Sequence, residues 1–212
     1  REVSGLSNQQ IIDEVKEYDV SVDIGKVEEV RPTVQASTLP EDSINFSDAH
    51  QLEYYKDNHI IRACKHIIKS RRLHTAVNRP DNLYVSLKDM VHKNRIVIPF
   101  VNERGEIEFY QTRTVKTSDL RTKPKYLGKV GAEKTLFNID KVSSDHDKVY
   151  IFEGPIDAFF VRNSVAVAGI TERGRSFTAR QEEQLKSTLK WYDKVWILDS
   201  QWGDRASMIK SE

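Results

Sequence analysis

The chain has 212 residues, 33 basic and 32 acidic side chains, a formal net charge of +1 and 38% hydrophobic residues, enough for one large domain or two small ones. No apolar run approaches the roughly 20 residues of a membrane span, no secretory signal peptide is visible, and a single cysteine, Cys64, excludes an internal disulfide and a zinc ribbon. The near-neutral total hides an asymmetry. Residues 1–50 hold 11 acidic and 4 basic side chains, whereas residues 51–135 hold 18 basic and 9 acidic ones. A middle block of +9 suits phosphate neutralisation and counterion release.

In chain order, Leu6, Ile11, Ile12 and Val15 predict a short amphipathic helix over 6–18. Residues 19–47, with Pro32 and Pro40, read as a linker or loose extension. Ser47-Asp48 is placed to cap a helix over 49–58. A second helix is predicted over 59–71, with Ile60, Ile61, Ala63, Cys64, Ile67 and Ile68 on its apolar face; His59, Cys64 and His66 read as ordinary helical residues with no metal. Residues 73–82, with Asn78, Pro80 and Asp81, form a loop. The period then changes. The β-branched run Asn94 to Phe100, the turn Asn102-Glu103-Arg104-Gly105 and the alternating stretch from Glu106 to Val115 predict a β-hairpin. Residues 116–135 are loop-like around Lys123-Pro124-Lys125-Tyr126-Leu127-Gly128, and Leu136-Phe137 returns to the packed interior. From Lys148 onward strands near 148–153, 164–168 and 194–199 alternate with helices near 155–162 and 178–191, the pattern of a parallel sheet.

Two segments carry the chemistry. Val149-Tyr150-Ile151-Phe152 and Val195-Trp196-Ile197-Leu198 are apolar runs that end in Glu153 and Asp199. Buried parallel strands look like this, and α/β sheets put their chemistry at such C-terminal ends. Two neighbouring strand ends would set Glu153 beside Asp199, with Asp157 one helical turn further on. Gly154 is expected to turn the backbone sharply, Pro155 to open a helix, and Asp157 to sit in its first turn, where the helix dipole favours a negative charge. Glu153, straight after Tyr150-Ile151-Phe152, should be partly desolvated at the sheet rim. Asp204 adds a carboxylate in the loop after Asp199. Hard oxygen ligands of this kind suit Mg²⁺ or Mn²⁺ and phosphoryl transfer on nucleotides or nucleic acid.

The run Glu153-Gly154-Pro155-Ile156-Asp157, followed by Asp199 with Gly203 beyond it, resembles a Toprim domain, and Val165 to Ile170 is similar to the middle of that fold. Upstream, Arg95 to Phe100, Arg104-Gly105, Gln111-Thr112-Arg113, Pro124-Lys125-Tyr126-Leu127 and Leu136-Phe137 follow in an order that resembles the RNA polymerase domain of bacterial and phage-type DNA primases. The resemblance covers roughly residues 49–207. It implies an α/β fold in which an α+β basic subdomain (49–145) precedes a Rossmann-like Toprim sheet (146–212), after a 1–48 extension. The chain opens on Arg1 and stops at Glu212, so a fragment with a truncated C-terminus is expected.

The resemblance implies Glu153 as catalytic residue; Glu153, Asp157, Asp199 and Asp204 as metal ligands for Mg²⁺ or Mn²⁺, without zinc in this fragment; and Arg95, Arg113, Lys123, Lys125 and Tyr126 as nucleotide- or template-binding residues. Lysine offers a compact charge to phosphate, arginine a planar fork, tyrosine a stacking face or a donor. The implied activity is synthesis of short RNA primers from ribonucleoside triphosphates on single-stranded DNA, in the bacterial cytoplasm or a phage-infected host, beside a replicative helicase and away from membranes. The sequence departs from the Toprim pattern at Gln201, where a second aspartate is usual, so Asp204 is the substitute carboxylate. Two alternatives are a Toprim-family nuclease or topoisomerase, and a non-catalytic DNA-binding module of the replication machinery.

Overall fold

The computed structural model describes residues 39–115, 124–169 and 177–197, which belong to one compact unit, Val34–Glu212. The helix expected over 6–18 and most of the expected linker lie outside the described residues. The fold begins before the expected boundary at residue 48. Ile44–Asn45 forms a first strand, β1, and Asp42 accepts hydrogen bonds from Ser86 Oγ (2.8 Å) and from the backbone N–H groups of Leu87 (2.5 Å) and Lys88. Helix α1 spans Ala49–Tyr54 and α2 spans His59–Ser70. Their caps are written locally: Asp48 accepts from the N–H groups of His50 and Gln51, and Asn58 from those of Ile60 and Ile61, which satisfies otherwise orphaned donors. Ile60, Ile61 and Cys64 are buried on one face of α2. Burial pushes the Cys64 thiol up to about 12, so it packs as a small apolar side chain.

Strands β2 (Tyr84–Ser86), β3 (Arg95–Val101), β4 (Ile107–Thr114) and β5 (Tyr126–Gly128) complete an antiparallel sheet ordered β1-β2-β3-β4-β5. The predicted hairpin is β3–β4. Its turn is held by Asn102 Oδ1, which accepts from the N–H groups of Arg104 (2.9 Å) and Glu106 (3.0 Å), with Gly105 at φ 81°, where glycine carries no Cβ penalty. In this hairpin Ile96 faces Arg113, Ile98 faces Gln111 and Phe100 faces Phe109, while Arg95 faces Thr114. Side chains alternate along a strand. Arg113 and Gln111 therefore share the face of Ile96, Ile98 and Phe100, and Arg95 is on the other.

The second sheet is parallel: β6 (Lys148–Phe152), β7 (Ser164–Ala166) and β8 (Asp193–Ile197) in the order β7-β6-β8. Helix α3 (Pro155–Ala158) links β6 to β7, and α4 (Ala179–Lys186) links β7 to β8. Both helices are shorter than expected. Gly154 and Thr178 begin them as N-caps, with a capping box between Thr178 and Gln181. Ser187 Oγ donates to the Glu183 carbonyl (2.6 Å) at the end of α4, an alternative to continuing the helix.

The subdomains expected on either side of residue 146 share a core. One hydrophobic cluster joins Ile60, Ile61, Ile98, Phe100 and Phe109 to Phe137, Phe152, Ile156 and Phe159. Phe137 makes an edge contact with Phe100 at 5.2 Å and stacks on Phe159 at 5.4 Å. Its backbone also bridges to Ala166, the last residue of β7. Arg180 of α4 reaches the first sheet, pairing with Glu108 of β4 (2.9 Å) and with Glu103 (3.0 Å). No helix among the described residues is long and apolar enough to cross a membrane.

Candidate functional site

In the parallel sheet the chain leaves central β6 for β7 on one side and then crosses to β8 on the other. The crevice at the C-terminal end of β6 is thus a topological switch point, where open α/β sheets bind ligands. Glu153 is the first residue past that end. It is half-buried, and its backbone carbonyl accepts from Gly169 N–H (3.0 Å), which closes the β7 exit against it. The register Phe152↔Ile197 aligns the ends of β6 and β8. Asp199, Gln201 and Asp204 lie outside the described residues, as does Lys123.

Gly154 does not turn the chain through an unusual dihedral. Its φ of −103° and ψ of 139° are extended, open to any residue. What glycine provides is room: a Cβ there would lie 2.8 Å from Asp157 Oδ2. Asp157, in the first turn of α3, thus folds its carboxylate back over Gly154 toward the strand end.

Glu153 and Asp157 line one side of a cleft of about 430 Å³, and the antiparallel sheet supplies the other side, with Gln111 and Arg113 from β4 and Lys125, Tyr126 and Gly128 on or beside β5. Arg71, just past α2, and Lys134 complete the basic lining. Arg113 Nη1 donates to Tyr126 Oη (2.5 Å). The Arg113 and Lys125 cations lie 5.3 and 5.4 Å from the Tyr126 ring centroid, within cation–π range. Burial raises the Tyr126 pKa; Arg113 and Arg71 oppose the shift and Asp157 adds to it. The phenol therefore stays protonated at neutral pH. With Arg113 donating to its oxygen, its hydrogen remains to donate to an anion. Carboxylates on one wall and cations plus a phenol on the other can grip opposite parts of a nucleotide: hard oxygens for a divalent ion, donors for phosphate.

Of the nine residues singled out in the sequence, Glu153, Asp157, Arg113, Lys125 and Tyr126 meet in this cleft. Arg95 does not. It is 2% exposed, and its guanidinium donates to Thr112 Oγ1 (3.0 Å) and to the carbonyls of Pro124 and Lys125 (2.8 Å each). From the opposite face of β3 it fixes the entry to β5, and with it the position of Lys125 and Tyr126. Sequence reasoning missed Arg71, Gln111 and Lys134. Gln111 Nε2 and Lys134 Nζ both donate to the Ala168 carbonyl (3.3 Å each). Ala168 has φ 59° and Gly169 has φ 96°, two successive left-handed residues at the cleft floor. For a non-glycine residue that conformation is uncommon.

Among the described residues no three His, Cys, Asp or Glu side chains group to hold a metal ion; Glu153 and Asp157 supply two carboxylates. A Mg²⁺ site needs few protein carboxylates beside waters and substrate phosphates, and this donor set fits one.

No protein-family model matches the chain. Among curated proteins it is similar to the DNA primase of Enterobacteria phage T4, 33% identical over 82 residues, 39% of this chain and 23% of that protein. It is also similar to the DNA primase of Enterococcus faecalis, 26% identical over 138 residues, 58% of this chain and 22% of that protein. The chain thus spans less than a quarter of the length of the curated relatives it matches. Among solved structures, the RNA polymerase domain of Mycobacterium tuberculosis primase DnaG superposes with a TM-score of 0.50 at 14% identity, covering 74% of this chain and 65% of that one. That likeness establishes the fold.

Proposed function

From the premise that this chain is a relative of the bacterial and phage-type DNA primases, we propose that it is a primase catalytic core. It joins ribonucleotides into short RNA primers on a single-stranded DNA template. The observation that carries this reading is the meeting of Glu153 and Asp157 with Arg113, Lys125 and Tyr126 across one cleft at the switch point of the parallel sheet.

In this reading the primer 3′ oxygen attacks the α-phosphorus of the incoming triphosphate and pyrophosphate leaves. Glu153, partly desolvated at the strand end, accepts the hydroxyl proton. Arg113 and Lys125 hold the triphosphate or the template backbone, and the Tyr126 hydroxyl donates to a phosphate oxygen. Glu153 and Asp157, with Asp199 and Asp204 as the further candidates from the sequence, would hold Mg²⁺ or Mn²⁺, which when bound supplies positive charge against the phosphates.

The test is primer synthesis on single-stranded DNA with ribonucleoside triphosphates and Mg²⁺ or Mn²⁺. Glu153→Gln keeps the side chain's shape and removes its charge. It is expected to abolish product while leaving urea unfolding unchanged; near-normal synthesis by this variant would refute the assignment.

A further inference from the structure

Two buried polar atoms of the cleft residues have no hydrogen-bond partner among the described residues: Gln111 Oε1 and Arg113 Nε. Both side chains line the cleft, at 6% and 8% exposure. A donor or acceptor buried in this way is destabilising, and native proteins rarely keep one without a role or a bound molecule to answer it. Gln111 and Arg113 are two residues apart on β4, on the same face and about 7 Å apart along the strand. What answers them must therefore donate and accept side by side.

The remaining groups of the two side chains are engaged. Gln111 Nε2 donates to the Ala168 carbonyl, as does Lys134 Nζ, and Arg113 Nη1 donates to Tyr126 Oη. Gly128, opposite Gln111 on β5 and also in the cleft lining, puts no side chain against the amide. Neither unpartnered atom is open to solvent. The terminal torsion of a glutamine is soft, so the amide can swing toward a ligand while Lys134 keeps the Ala168 carbonyl bonded.

A phosphate offers only acceptor oxygens; it would answer Arg113 Nε and leave Gln111 Oε1 unmet. A site that copies a template must take all four bases, so its fixed contacts fall on what they share. With phosphate excluded, the sugar is left. A hydroxyl both donates and accepts, and ribose carries two on neighbouring carbons. Resting on the reading of the cleft as a nucleotide site, we propose that Gln111 and Arg113 Nε recognise the ribose hydroxyls and so select ribonucleotides over deoxyribonucleotides. Gln111 Oε1 accepts from one hydroxyl, and Arg113 Nε donates to the same oxygen or to its neighbour. The 2′ hydroxyl is what distinguishes RNA from DNA. Neutrality suits the position, since a carboxylate there would also accept but would repel the phosphates.

The test is displacement of a fluorescent ribonucleoside triphosphate by ATP, 2′-deoxyATP and 3′-deoxyATP with Mn²⁺ present, using the full chain and a Gln111→Met variant. Methionine keeps the length of the side chain and removes the acceptor; urea unfolding checks the fold. A neutral hydrogen bond to a buried acceptor corresponds to about a 10-fold change in affinity. The parent should bind ATP about 10-fold more tightly than at least one of the deoxy forms. Gln111→Met should lose that preference by weakening for ATP alone. UTP and its deoxy forms should show the same preference, because the sugar is read and not the base.

Equal binding of ATP and both deoxy forms by the parent would overturn the inference, as an ordered water joining the two atoms would give; that comparison needs no variant. An equal loss for all three nucleotides in Gln111→Met would overturn it too, since that marks a merely structural glutamine. So would a preference held with ATP and absent with UTP, which would set the pair against the adenine edge. The two readings can fail separately. If the ribose preference depends on Gln111 and no primer forms on any template, sugar recognition stands and the primase activity falls. If primers form and Gln111→Met incorporates ribo- and deoxynucleotides in the parent's ratio, the reverse holds.

Discussion

Gly154→Ala is the substitution whose effect follows most directly from the geometry. The added Cβ would lie 2.8 Å from Asp157 Oδ2, well inside the roughly 3.5 Å at which non-bonded heavy atoms meet. The Asp157 carboxylate must therefore retreat by about half an ångström or more. The backbone does not object, since φ −103° is open to alanine. The stability cost is that of an alanine at a helix N-cap, about 1 kcal/mol. The catalytic cost is larger, because misplacing a catalytic group by about 1 Å can cost on the order of 100-fold in rate. Expected, then, is a 10- to 100-fold loss of primer synthesis, on the order of that estimate, with urea unfolding shifted only slightly. A double-mutant cycle isolates the cause. In an Asp157→Ala background the carboxylate is gone, and Gly154→Ala should add almost nothing to the loss. Full activity in Gly154→Ala, or equal losses in both backgrounds, would refute the claim that Gly154 exists to seat Asp157.

Arg95→Ala should destabilise the protein by about 2–4 kcal/mol, since it empties the site of a buried side chain and removes its three hydrogen bonds to Thr112, Pro124 and Lys125; Arg95→Lys should rescue little, lacking the planar fork that spans the Pro124 and Lys125 carbonyls, and chemical denaturation reads both. Arg180→Met leaves Glu108, 4% exposed at its side chain, as a buried uncompensated charge. The expected loss is about 3 kcal/mol, reduced when Glu108→Gln is added. Burial holds the His92 pKa below its ordinary value of 6.5, with Arg95 assisting and Asp89 opposing. The unfolded chain therefore binds the proton more readily, and stability should be complete above about pH 6.5 and decline as pH falls toward the lower folded value. In His92→Gln this portion of the pH dependence should vanish from thermal melts.

Much of the fold was legible because its elements carry strong periodic or punctuating signals. The β3–β4 hairpin shows in the β-branched run at 96–98 and the turn at Asn102–Gly105, and β6 and β8 show as short apolar runs. Strands β1, β2 and β5 are two or three residues long, too short for a period, and are set by pairing with distant partners. The site was half legible for a similar reason. Glu153 and Asp157 stand out because an apolar run stops at a carboxylate. Arg71 and Lys134 come from elements more than 50 residues apart and have no local signature. Arg95 and Arg113 look alike in sequence, and only the hairpin register, which pairs Ile96 with Arg113, puts them on opposite faces. One became a buried brace and the other a cleft residue.

In the proposed mechanism the carboxylates at the end of β6 and the cations beside β5 serve one bound nucleotide. Anomalous diffraction from a crystal soaked with Mn²⁺ and a ribonucleoside triphosphate tests it directly. A manganese peak is expected against the Glu153 and Asp157 carboxylates, with the triphosphate reaching Arg113 and Lys125. A nucleotide bound elsewhere, or one in this cleft with no metal near either carboxylate, would contradict it.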